Sequence, residues 1–182
     1  MKMNLATPLL MMALSLTGAT AHAQSYALTM TGLVTSPSCG LTVDAIALGD
    51  VPLSEFTSSN VPASRYSKSF DVRLQNCEVS SLSAASLKFS GTITGSTSIL
   101  ALTNMNGAGV AVGIGVQITT NDSQHGSTGT PVKFDGSESY AFRPSSGKSS
   151  YTFLASYIRS PTAPSRAPGT ANATATVTLT YS

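Results

Sequence analysis

The stretch APGTANATATVTLTYS, residues 167–182, decides the fold. From Ala171 the chain alternates strictly: Ala171, Ala173, Ala175, Val177, Leu179 and Tyr181 fall on one face, with Asn172 and four threonines on the other. A period of two is the mark of a half-buried strand, because successive side chains leave a strand on opposite sides. The apolar face starts small, with three alanines, and finishes large. No further strand follows to form its outer neighbour, so the open edge is expected to be covered by some other segment. Left bare, such an edge would template aggregation.

Working outward, the rest of the chain also reads as strands and turns. Phe70, Val72 and Leu74 alternate with Asp71, Arg73 and Gln75 just ahead of Asn76 and Cys77. Val110, Val112, Ile114, Val116 and Ile118 alternate with Ala111, Gly113, Gly115 and Gln117, which predicts one strand over residues 110–118. Residues 151–158, YTFLASYI, are apolar on both faces at several positions, as a central strand requires. Glycine-, serine- and asparagine-rich turn clusters separate these runs at residues 91–98, 104–109 and 121–131. Strong helical periodicity is missing beyond the N-terminal segment, so helices should be few and short and an antiparallel β-sandwich is expected.

The N-terminal segment sets the compartment. Lys2 is followed by an apolar run at residues 9–16, LLMMALSL, and by Ala21-His22-Ala23, with small residues where a signal peptidase cuts. Residues 1–23 therefore read as a signal peptide, leaving Gln24 first in the exported chain. The run is short for a membrane span and no later stretch is long and apolar enough, so the exported chain is expected to have none. Only 10% of residues are charged and the formal net charge is +2, which argues against nucleic acid as a partner. In an oxidising compartment the chain's two cysteines, Cys39 and Cys77, favour a disulfide. Closing a ring of roughly 38 residues is worth on the order of 3 to 4 kcal/mol. A catalytic or metal role for them is the weaker alternative, since the spacing is not that of a zinc site and His125 is the one histidine beyond the signal segment.

Enzyme signatures fail one by one. Gly147-Lys148-Ser149 imitates the end of a phosphate-binding loop, but Phe142 stands where the first glycine belongs. Val112 occupies the place of the third glycine in a dinucleotide fingerprint begun at Gly107 and Gly109, and no nucleophile elbow occurs. The acidic residues are scattered and read as solvated surface, His125 sits in a loop-like stretch, and Met30 and Met105 read as core or groove fillers. Asn121 and Asn172 match glycosylation acceptors by chance. No catalytic, cofactor-binding or metal-binding residue is expected.

Residues 24–34, QSYALTMTGLV, alternate too: Tyr26, Leu28, Met30, Gly32 and Val34 share one face. No tight turn joins this strand to a neighbour. It could form the first strand of its own sandwich, or it could serve another molecule.

At this point the sequence resembles a family, the fimbrial subunits or pilins of the bacterial chaperone–usher pathway. The resemblance rests on Gly32-Leu33-Val34 ahead of Cys39, on residues 70–77 (FDVRLQNC), on residues 153–157 (FLASY) with Pro168-Gly169, and on Tyr181 as penultimate residue with Gly169 fourteenth from the end. It implies an all-β fold, an incomplete immunoglobulin-like Greek-key sandwich lacking its final strand, with residues 24–34 as an N-terminal donor-strand extension and residues 35–182 as the pilin domain. It implies that Tyr26, Leu28, Met30, Gly32 and Val34 are the donor-strand residues. It further implies that Gly169, Ala171, Ala173, Ala175, Val177, Leu179 and Tyr181 form the acceptor groove and the strand a chaperone binds. Tyr26 is bulkier than the family's usual residue there. The implied partners are neighbouring pilin subunits, a periplasmic chaperone and an outer-membrane usher. The implied role is a structural subunit of a surface fimbria supporting cell adhesion, reached through the periplasm, and the chain needs no cofactor. Other readings are a minor adaptor subunit or a monomeric carbohydrate-binding sandwich. A two-domain tip adhesin would carry a further receptor domain and lack the donor extension.

Overall fold

The computed structural model describes residues 39–76, 82, 85–143 and 148–181. The chain divides into two compact units between Val34 and Thr35, and every described residue belongs to the second. The expected signal peptide, the donor-strand residues 24–34 and Cys77 lie outside the described residues.

The alternation at residues 70–75 forms β2 (Lys68–Gln75), with Phe70, Val72 and Leu74 buried and Arg73 and Gln75 exposed. It pairs on one side with β1 (Gly40–Val43) and on the other with β8 (Ser150–Arg159). The expectation of a central strand at residues 151–158 holds, because β8 has β6 (Ile114–Thr120) as its second neighbour. With β4 (Ile93–Thr94) and β5 (Ser96–Ala101) these make a six-stranded antiparallel sheet in the order β1-β2-β8-β6-β5-β4. A second sheet has the order β7-β3-β9, built from β7 (Tyr140–Phe142), β3 (Ala85–Gly91) and β9 (Ala175–Tyr181). Helical structure among the described residues is two short 3-10 turns, Leu53–Glu55 and Ser64–Tyr66.

The sheets meet through aromatic side chains. Phe153 of β8 stacks on Phe70 of the adjacent strand at 5.7 Å and meets Phe89 of the opposite sheet edge-on at 5.1 Å. Phe89, Phe153, Leu87 and Val72 are fully buried, so the core is a close-packed layer between two antiparallel sheets, as an immunoglobulin-like sandwich demands.

Several expectations need correction. The strand expected over residues 110–118 begins only at Ile114, because Gly113 adopts φ +72° and a side chain there would collide with Ser165 O. Val110 and Val112 instead make isolated bridges to Thr170 and Ala167, and Val112 is 43% exposed. The last strand begins at Ala175, not Ala171. Met105, expected to fill core or groove, is exposed, and Asp122, expected on the surface, is buried.

Candidate acceptor groove

β9 pairs with β3 along its whole length, from Ala85↔Tyr181 to Gly91↔Ala175, and among the described residues it has no second strand neighbour. Beside it, toward the N-terminal end of its run, opens a cavity of about 980 Å³. One wall is the stretch from Ala167 through Ala175 to Val177, and the facing wall is residues 43–51 with Leu53 and Phe56. The floor is core: Phe70, Phe89, Ile114, Val116, Ile118, Ala155 and Tyr157.

Both walls present main chain that no other backbone segment pairs. Residues 44–51 make no backbone–backbone hydrogen bond among the described residues, and neither do Ala171 and Ala173. Most of residues 44–51 are exposed, whereas Ala171 and Ala173 are half-buried; two facing rims of unpaired main chain over a core floor suit one extended segment, which would pair those groups as it covers them.

The walls are nevertheless held in place. At one end of the first wall Arg73 Nη1 donates to Asp44 Oδ2 at 2.6 Å, and Arg73 Nη2 donates to Asp71. At its other end the part-buried Arg166 guanidinium donates to the carbonyls of Leu53 and Phe56. The second wall is fixed by residues 103–112. Thr103 N–H donates to Asn172 O, Ala111 N–H to Thr170 O, and Thr170 N–H to Gly109 O. This close approach requires glycine at position 169, since a Cβ there would lie 2.5 Å from both Ala111 N and Val110 C. Tyr157 Oη donates to Ala171 O across the floor at 2.8 Å.

Of the acceptor residues expected from sequence, Gly169, Ala171, Ala173, Ala175 and Val177 line the cavity together. Leu179 and Tyr181 lie further along β9, outside the lining. Tyr181 is 40% exposed, and its hydroxyl accepts from Cys39 N–H at 3.2 Å. Cys39 is disulfide-bonded. Sequence reasoning found only one wall. The apolar run AIAL at residues 45–48, lacking the period of either helix or strand, was the available signal for the other.

A second cluster, which sequence reasoning did not find, lies away from the groove. His125 is 2% exposed and packs against Phe142 at 4.9 Å and Tyr151 at 4.4 Å. Arg143 N–H donates to Nδ1 at 2.9 Å, so the ring proton sits on Nε2 and is donated to Ser150 O at 2.9 Å. Burial pushes the His125 pKa down, keeping the ring neutral. Burial alone would push Asp122 up, but the Lys148 ammonium at 2.7 Å and the Gln124 N–H hold its carboxyl below its ordinary value. These interactions fasten the loop after β6 to the start of β8. Among the described residues no group of acidic, histidine and cysteine side chains is arranged to hold a metal.

The family model described as "Fimbrial protein" matches residues 12–182. No curated protein matches. Among solved structures, the P pilus rod subunit PapA superposes with a TM-score of 0.61 at 22% identity, covering 87% of this chain and all of that one. The CupB6 tip adhesin of Pseudomonas aeruginosa gives 0.56 at 26% identity over 73% of this chain, which spans 34% of the adhesin's length. A chain from a chaperone–usher pilus studied for its rod uncoiling gives 0.55 at 19% identity over 91% of this chain. This chain belongs to the fimbrial protein family and is a structural subunit of a surface fimbria, with an immunoglobulin-like pilin fold.

Proposed function

We propose that this subunit polymerises without catalysis by donor-strand exchange: residues 24–34 of one copy fill the groove between residues 43–51 and 167–177 of the next. The observation that carries the reading is the vacancy itself, a channel with a core floor whose two rims both present main chain without a backbone partner. Adding a strand to a sheet edge is an established way for a peptide to bind, with the main chain supplying affinity and side-chain pockets supplying selectivity. The half-buried Ala171, Ala173 and Ala175 leave room for bulky incoming residues. Tyr26, Leu28, Met30 and Val34 would each contribute about 1.5 to 3 kcal/mol on burial, roughly 6 to 12 kcal/mol before ordering costs.

In this reading the subunit builds the fimbrial rod. A periplasmic chaperone occupies the groove before assembly, an outer-membrane usher hosts the exchange, and Cys39–Cys77 staples the domain beforehand. A donor segment and an acceptor groove in one chain suit a rod subunit or an internal adaptor, and the rod is the favoured reading. The test is an exported variant lacking residues 24–34, run on non-boiled gels. The wild type should give a ladder of multimers and the deletion variant a single species. A ladder from the deletion variant would overturn the reading.

A further inference from the structure

The hydrogen bond from Tyr157 to Ala171 crosses the groove floor, and its direction is informative. The carbonyls of Thr170 and Asn172 accept from Ala111 and Thr103, so both point away from the groove. In an extended chain successive carbonyls point to opposite edges. Ala171 O therefore points to the open edge, at the position where an added strand would place a backbone N–H. There it already has a donor, the Tyr157 hydroxyl at 2.8 Å. Tyr157 itself lines the groove, and its backbone is fixed independently, since its carbonyl accepts from Ala63 N–H at 2.9 Å. These backbone bonds do not involve its side chain, so releasing Ala171 O need not break the pairing of β8.

We infer that Tyr157 is a latch: its hydroxyl stands in for the missing strand at Ala171 O while the groove is empty, and yields that carbonyl when an extended segment enters. This rests on the reading above that such a segment fills the groove, and makes Tyr157 a positioning residue that sets how readily it does so. Among the described residues Ala173, two positions on, has no such stand-in, so entry is hindered at one point of the wall and not along it. Burial raises the Tyr157 pKa, and Asp50 adds to the effect, so the hydroxyl keeps its proton and remains a donor at neutral pH.

Tyr157→Phe keeps the ring and removes the hydroxyl, leaving Ala171 O unsatisfied only in the empty state. One neutral hydrogen bond corresponds to about a two- to tenfold change in an equilibrium or rate. The test mixes the full-length protein, purified after export and held at high dilution, with a fluorescently labelled synthetic peptide of residues 24–34. Uptake is followed by anisotropy, and melting is recorded with and without peptide. The variant should take up peptide about two- to tenfold faster than the wild type. Without peptide it should melt lower than the wild type, and with peptide the two should melt together. Equal or slower uptake would overturn the latch, as would a melting difference that persists in the filled state, the mark of a merely structural role. Uptake by neither protein would instead refute the occupant of the groove, and the latch with it.

Discussion

The two ends of β8 show how one strand serves two purposes. Near its start Tyr151 and Phe153 are buried among rings, with Phe153 4.3 Å from Tyr151 and Phe142 6.0 Å from Tyr151. A few residues later Ala155 and Tyr157 form part of an open floor. The opposite layer follows the same division: Leu87 closes the core, while the alanines of residues 171–175 leave space above Phe89. The difference lies in side-chain volume on a continuous backbone. It teaches that the groove is a region from which bulk has been withheld, next to a core dense enough to hold the domain together while it is empty.

Breaking the closed end should have the largest effect. Phe153→Ala removes a fully buried ring contacting Phe70, Phe89 and Tyr151, and is expected to destabilise the domain by about 3 to 5 kcal/mol in denaturant titration. Next comes the buried histidine cluster. Asp122→Ala should cost on the order of 1 to 3 kcal/mol by breaking the bonds to Lys148 and Gln124. His125 and Asp122 both have folded pKa values below their ordinary ones. For each, the stabilising contribution is complete above the ordinary value and is lost as pH falls through the depressed one. The melting temperature should therefore fall first as the pH drops below the ordinary histidine value of 6.5, from His125, and again below the ordinary carboxylate value of 3.8, from Asp122. A flat profile would contradict the assignment. The smallest effect on stability should come from the open end. Ala173→Leu places its side chain in vacant apolar space and should change stability by less than about 1 kcal/mol, yet it should block fibre growth on non-boiled gels. That separation of folding from assembly is what distinguishes the two ends.

Much of this division was legible in the sequence. The period of two at residues 70–75 and the two-faced apolar run at 151–158 gave the core strands, because burial on one face or both leaves an unambiguous mark. The alanine-to-leucine gradient along residues 171–179 marked one wall of the groove. What was not legible depends on contacts distant in sequence. Past Val43, which ends β1, the wall at residues 44–51 has no periodic signature, since it lies in neither helix nor strand. The strand break at Gly113 is imposed by Ser165, and the burial of His125 and Asp122 depends on Phe142, Lys148 and Tyr151 folding over them. Arg166 and Tyr157 act through carbonyls of other segments, which no local pattern encodes.

The central claim, that a neighbour's segment completes this sandwich, is tested most directly by amide hydrogen exchange on dispersed subunits and on assembled fibres. The amides of Ala45, Ile46, Ala47, Leu48, Ala171 and Ala173, which have no backbone partner in the single chain, should exchange rapidly when dispersed. A substantial share of them, drawn from both walls, should become protected on assembly. Fibres in which all of these amides exchange as fast as in the dispersed subunit would contradict the account.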